Sequence, residues 1–174
     1  FVLSSGLHSS KYVQCAKLLS FPSEAEKICK ALAKKIKKNF KKIDIILAPA
    51  IGGIIVGYEI GKILKKETIF CERVKGKFTL RRGFEIKKNS KVLIIEDVIT
   101  TGKSSMECVQ IIKRSKASLV GFAAIIDRST KGTLKIKKKI VSHLKINVPT
   151  FRSNKLPKDL KLIPITTPGS RFIK

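Results

Sequence analysis

The sequence predicts an α/β fold, a mostly parallel central sheet flanked by helices, and three observations carry that expectation. Short apolar runs at residues 43–48, 91–96 and 119–126 have the length of buried strands. Stretches with apolar residues at helical spacing fall between them. Turn-forming residues such as Pro49, Gly52 and Gly53 stand where one pattern gives way to the other. Such alternation is the signature of parallel strands joined by crossover helices.

Taken in order, residues 1–19 (FVLSSGLHSSKYVQCAKLL) mix serine, glycine and apolar side chains and are expected to run as extended, partly ordered segments. Ser23 and Glu26 have the spacing of a capping box. Ala25, Ile28, Leu32 and Ile36 then recur at helical spacing, with lysines on the other side. Residues 43–48 (IDIILA) read as a buried strand and 49–53 as a turn. Residues 54–64 read as a helix packed closely through Gly57 and Gly61. A strand is expected over 68–73, a basic loop over 75–82 and a strong strand over 91–96. A helix over 104–114 and a strand over 119–126 follow. The lysine run 135–139 reads as a solvated strand or turn. Pro149, Pro157, Pro164 and Pro168 punctuate an irregular last third. No internal repeat is present, and one domain spanning 1–174 is expected.

Composition narrows the function classes. Hydrophobic residues make up 43% of the 174 residues, ordinary for a folded domain and too many for wholesale disorder. The longest uncharged stretch, residues 45–58, is too short to span a bilayer and contains Pro49 and three glycines. No signal peptide heads the chain, and its first residue is Phe, so a natural N-terminal segment is expected to be missing. Cys15, Cys29, Cys71 and Cys108 show neither disulfide nor zinc spacing, which points to a reducing, cytoplasmic setting. The net charge of +26 suits a polyanion partner. Against that, only seven of the 38 basic residues are arginine, Trp is absent, and the lysines are spread along the whole chain. A lysine-rich solvated surface, with some help in attracting phosphorylated substrates, accounts for the charge as well, and no specific nucleic acid is expected.

The chemistry concentrates in residues 92–104, VLIIEDVITTGKS. Ligands of open α/β sheets bind beyond the carboxyl ends of strands, and this stretch carries its polar groups at such an end. A Walker A loop requires glycine where Asp97 stands, and no GxGxxG fingerprint follows the strand. What remains is a turn from Thr100 to Ser104 leading into a helix. Its backbone N–H groups form a nest for one phosphate, the hydroxyls of Thr100, Thr101 and Ser104 add donors, and Gly102 permits close approach. Glu96 and Asp97 repel phosphate but accept hydrogen bonds from vicinal sugar hydroxyls. A sugar phosphate satisfies both halves.

On these residues the stretch resembles the phosphoribosyl-diphosphate (PRPP) motif of type I phosphoribosyltransferases. LSSGLHSSKYVQ (3–14), APAIGGIIVGYEIG (48–61), ERVKGKFTLRRGFEI (72–86), IIDRS (125–129) and LPKDLKLIPITTPGSR (156–171) resemble, in order, the orotate phosphoribosyltransferase family. The resemblance covers nearly the whole chain apart from a family N-terminal helix. It implies the type I fold, with a small N-terminal hood and a mobile basic lid loop. It also implies transfer of ribose 5-phosphate from PRPP to orotate, in a homodimer whose lid reaches the neighbouring site. By that resemblance Glu96, Asp97, Val98, Ile99, Thr100, Thr101, Gly102, Lys103 and Ser104 hold PRPP, with Asp97 also catalytic. Ala50, Ile51, Gly52 and Gly53 form the pyrophosphate loop. In the lid, Arg73 and Lys77 bind PRPP, and Lys77 is the catalytic lysine. Val74 stands where many members carry a second lysine, and Thr79 replaces a histidine. Thr100 and Arg128 meet orotate, a guanidinium being suited to its carboxylate. The hood, with Ser4, Gly6 and Tyr12, covers the base, Ser4 replacing a lysine of some members. Mg2+ is implied as an ion carried by PRPP, with no protein metal ligands assigned. Two rivals remain from the sequence: a purine phosphoribosyltransferase, and a nucleic-acid-binding regulator on the same fold.

Overall fold

The computed structural model describes residues 1–3, 6–130 and 136–166. Ser4, Lys135 and the end from residue 167, including Pro168, lie outside the described residues. The architecture follows from strands that are apolar on both faces. Strand β1 (Ile45–Pro49) is buried at every position, and β4 (Lys91–Ile99) and β5 (Ser118–Asp127) are buried through their middles. Such strands need cover on both sides, which parallel pairing with crossover helices provides. With β2 (Glu67–Val74), β3 (Lys77–Leu80) and β6 (Ile140–Lys145) they form one sheet in the order β3-β2-β1-β4-β5-β6. Only β3 is antiparallel to its neighbour.

Side chains alternate between two cores. Ile46, Leu93, Ile95, Ala123 and Ile125 face α1 (Cys15–Leu19), α2 (Pro22–Asn39) and α3 (Gly52–Leu64). Ile45, Leu47, Val92, Ile94 and Phe122 face α4 (Lys103–Arg114), the hairpin residue Phe78 and Ile86. Helix α2 buries Ala25, Cys29, Leu32, Ala33 and Ile36 and turns its lysines to solvent, as its periodicity predicts. Helix α3 lies close on the sheet through Gly53, Gly57 and Gly61. A β carbon on Gly57 would meet that of Ala48 at 2.8 Å, and one on Gly53 would meet the Ile95 carbonyl at 2.9 Å.

Five local expectations are corrected. The capping box does not form. Helix α2 starts two residues earlier with Pro22 at its first position, where proline's fixed φ and missing N–H are favourable, and no side chain caps it. Residues 15–19, expected to be extended, form the short helix α1, which buries Cys15 and Leu19. The basic loop 75–82 is largely a hairpin. Lys75 and Gly76 both have positive φ, which suits the two-residue turn between twisted strands. Phe78 points inward between exposed Lys77 and Thr79. Strand β4 runs on to Ile99, paired with Asp127, so Asp97 lies within the strand rather than after it. Strand β6 and the short helix α5 (Lys158–Lys161) were not expected from the irregular last third. Among the described residues no helix is long and apolar enough to cross a membrane.

Gly57→Val is expected to cost about 1–3 kcal/mol, because the added side chain forces α3 away from β1. Urea denaturation checks this, and an unchanged midpoint would remove Gly57 from that role.

Candidate active site

Among the parallel strands, winding reverses between β1 and β4. Helix α3 leaves the end of β1 on one face and α4 leaves β4 on the other, so a crevice opens between their N-termini. A cleft of about 160 Å3 occupies this position, lined by the end of β1, the end of β4, Thr100, Ser104, Tyr12 and Arg128.

From β1 come residues 50–53. The Ala50–Ile51 peptide is cis, the Ala50 N–H donates to the Cys71 carbonyl (2.7 Å), and α3 begins at Gly52. From β4 come the acids. A β carbon on Gly52 would lie 2.5 Å from Asp97 Oδ2, so the carboxylate rests directly on the glycine backbone. Burial pushes the Asp97 carboxyl above its ordinary value, opposed by the Val98 N–H, which donates to Oδ1 (2.8 Å). Glu96 is only 7% exposed, and its Oε1 accepts the Ser105 hydroxyl (2.7 Å). One of its oxygens is therefore already engaged.

Part of the predicted cradle, from the end of β4 and the turn after it, lies in the cleft. Val98, Thr100 and Ser104 line the cleft, whereas Ile99 packs into the α4-side core. Gly102 has φ +71° and precedes α4 directly, where helix N–H groups are free. A β carbon there would strike Ile136. Thr101 Oγ1 accepts the Lys103 N–H (3.3 Å), and the Lys103 side chain is exposed.

Arg128 follows β5, and its N–H donates to the Ile99 carbonyl (2.9 Å), which ties it to the end of β4. Its side chain is 2% exposed. Nη2 donates to Ser9 Oγ (2.8 Å) and Nη1 to the Lys11 carbonyl (3.3 Å), while the buried Nε has no hydrogen-bond partner among the described residues. No carboxylate pairs with this guanidinium among the described residues. Burial lowers its affinity for the proton, although nearby Tyr12 works the other way. Burial, then Asp97, raises the Tyr12 hydroxyl, and the same two causes push Cys15 up to about 12.

Ser9 was not singled out from the sequence. Its hydroxyl also donates to the Pro149 carbonyl (3.2 Å), so it joins the N-terminal segment, the tail and Arg128. That segment is further held by bridges from His8 to Val2 and Phe151. Ser105 and Glu107 were missed as well; both are lone polar residues whose partners lie on other elements.

The hairpin cations do not gather in this chain's cleft; only Phe78 of the hairpin reaches it. Arg73 pairs with Glu107 on α4 (2.6 Å), donates to the Gly76 carbonyl and lies 4.0 Å over the Phe78 ring. Arg81 and Arg82 both pair with Glu72. Lys75 and Lys77 are exposed, with no carboxylate within 4.0 Å among the described residues. No group of three or more His, Cys, Asp or Glu is placed to hold a metal among the described residues.

Comparison with known proteins agrees with this geometry. Residues 21–160 match the family described as phosphoribosyl transferase domain. A curated orotate phosphoribosyltransferase of Parvibaculum lavamentivorans is 44% identical over 174 residues, covering 99% of this chain and 89% of the relative. The solved orotate phosphoribosyltransferase of Aeropyrum pernix has a TM-score of 0.68 at 21% identity, covering 84% of this chain and 85% of that one. The adenine phosphoribosyltransferase of Saccharomyces cerevisiae, covering 82% of this chain and 96% of that one, gives 0.66 at 18% identity. The two structures show a shared fold and do not separate the bases.

The raised Asp97 value has a consequence for stability. The folded protein holds this proton more tightly than the unfolded chain, so stability is greatest below the unfolded value near pH 4 and is lost as pH rises through the folded value. Asp97→Asn removes that loss. The variant is expected to melt above wild type at pH 7, with the gap closing toward pH 4. Differential scanning fluorimetry across that range checks it; a gap independent of pH would sink the explanation.

Proposed function

The chain belongs to the phosphoribosyltransferase family, and from that premise we propose that it is an orotate phosphoribosyltransferase. The C1′–O bond of PRPP breaks with its electron pair leaving on pyrophosphate. A bond forms from C1′ to N1 of orotate as N1 gives up its proton to the released pyrophosphate or to solvent, giving orotidine 5′-monophosphate on the route to UMP. The single observation carrying the choice of base is Arg128, a buried guanidinium lacking a carboxylate partner among the described residues, in the same cleft as the sugar-phosphate turn. Orotate brings a carboxylate for it, and a neutral purine does not.

No side-chain nucleophile is required. Positive charge builds on the sugar and negative charge on pyrophosphate, so positioning and electrostatic stabilisation carry the rate. The turn from Thr100 to Ser104, with Gly102 and the first N–H groups of α4, holds the 5-phosphate. Asp97, together with Glu96, takes the ribose diol. The N–H groups of residues 51–53 face the pyrophosphate, with Ala50 held to β2 through the Cys71 carbonyl, and Thr100 and Arg128 orient the base. Mg2+ would be carried by the diphosphate itself, where it would neutralise the departing charge; among the described residues no cluster of three or more acidic, His or Cys side chains is placed to hold it.

A homodimer completes the site in this reading. Ile51 (78% exposed), Ile55 and Tyr58 (64%) form an apolar stripe on α3 beside the cleft, suited to burial against a second copy. Lys77, with Arg73 released from Glu107, would then reach the partner's pyrophosphate as a lid. The chain reads as one domain working in the cytoplasm, where its four free, buried cysteines fit a reducing compartment.

Loss of orotate absorbance with PRPP and Mg2+ tests the activity; turnover of adenine or hypoxanthine but not orotate would overturn it. Lys77→Ala is expected to lower kcat by about 10²–10³-fold with little change in Tm, the size associated with losing one transition-state donor. Ser9→Ala is expected to raise the orotate KM several-fold at nearly constant kcat, because Arg128 loses its anchor. Equal losses in kcat for Ser9→Ala would contradict that anchoring role.

A further inference from the structure

The end of the molecule opposite the cleft carries a charge distribution that the reaction leaves unused. Strands β2, β1, β4, β5 and β6 are neighbours and run parallel, so their first residues line one edge of the sheet. Lys41 and Lys42 precede β1, and Lys65 and Lys66 precede β2. Lys87 and Lys88 precede β4, which itself begins with Lys91. Lys113, Arg114 and Lys116 precede β5, and Lys137, Lys138 and Lys139 precede β6. All except Lys91 are exposed.

These groups form one continuous surface. Lys37, Lys41 and Lys42 share a hollow with Lys66. The Asp44 N–H donates to the Lys91 carbonyl (2.8 Å) and the Asn89 N–H to the Lys116 carbonyl (3.0 Å). At the end of α2, Phe40 packs against Gly121 beside the Lys139 carbonyl. Of the acids here, Asp44 already accepts the Lys91 N–H (2.8 Å), and Glu67 stands exposed at the start of β2. Among the described residues, none of these cations has a carboxylate within 4.0 Å.

We propose that this face binds the phosphate backbone of a nucleic-acid duplex, independently of sequence and apart from the catalytic cleft. Five strand starts at about 4.8 Å spacing span roughly 19 Å, a length over which a duplex presents about ten phosphates. Lysine dominates the face, and its ammonium is a point charge suited to phosphates rather than to bidentate reading of bases. Among the described residues no exposed large hydrophobic side chain stands at these strand starts, so they offer no group to stack on unpaired bases or to enter a bilayer.

The test is fluorescence anisotropy of a labelled 20-base-pair RNA duplex with the full chain, between 50 and 300 mM KCl. The face variant carries Lys41→Glu, Lys42→Glu, Lys138→Glu and Lys139→Glu. A control with the same change in net charge carries Lys17→Glu, Lys155→Glu, Lys158→Glu and Lys161→Glu. The face variant is expected to bind at least ~100-fold more weakly at 100 mM KCl, with a salt slope shallower by about three to four. The control should stay within about threefold, and both should retain wild-type orotate turnover. Lys→Gln at the same four face positions should give an intermediate loss. Equal losses in face and control variants would reduce the effect to net charge and overturn the proposal. So would an absence of duplex binding by wild type, or stronger retention by phosphatidylglycerol vesicles that depends on the same face lysines.

Discussion

The reversal of winding between β1 and β4 is the constraint on which the rest of the site depends. Strands on either side of that point send their crossovers to opposite faces, and the gap between α3 and α4 is left open at the carboxyl edge. Two helix N-termini with unused N–H groups border this gap. The gap is also narrow: Gly52 touches the Asp97 carboxylate where any β carbon would collide with it. The loop after β1 is therefore glycine at the position where β4 places its acid. Close seating of α3 through Gly53, Gly57 and Gly61 brings the loop to that distance.

Charge compensation inside the chain is uneven, and the unevenness has a direction. Glu96 accepts the Ser105 hydroxyl, Glu107 holds Arg73, and Glu72 answers Arg81 and Arg82. Asp97 and Arg128 face the cleft with burial acting against the charged form of each. In the free protein these two groups cost stability, since a desolvated charge without a counter-ion is unfavourable. A ligand bearing hydroxyls for the acid and a carboxylate for the guanidinium offsets both costs. Groups held rigidly in advance need no reorganisation when the reaction develops its charge.

Much of this was legible from local pattern. Residues 92–104 contain a strand, two acids, a turn and a helix start in unbroken succession, and the structure keeps them in that arrangement. The helical periodicity of α2 and the close packing through Gly57 and Gly61 also came through. Other features were masked by competing local signals. Pro22 displaced the Ser23 capping box, and the lysines of residues 75–82 hid the inward Phe78 that makes them a hairpin. Strand β6 was obscured because its sequence, IVSHLK, is short and half polar.

By itself, the sequence determined the chemistry of contiguous stretches, because a turn's N–H groups and the acids beside it are covalent neighbours. Only the tertiary structure decided which distant residues meet. Ser9 reaches Arg128 across 119 positions, and Gly52 meets Asp97. Twelve of the lysines that look evenly scattered along the chain are drawn together at one edge of the sheet. The physical reason is that parallel pairing returns the chain to the same edge after every crossover. Residues 18 to 47 positions apart are thereby made neighbours through strand register, which no local pattern encodes.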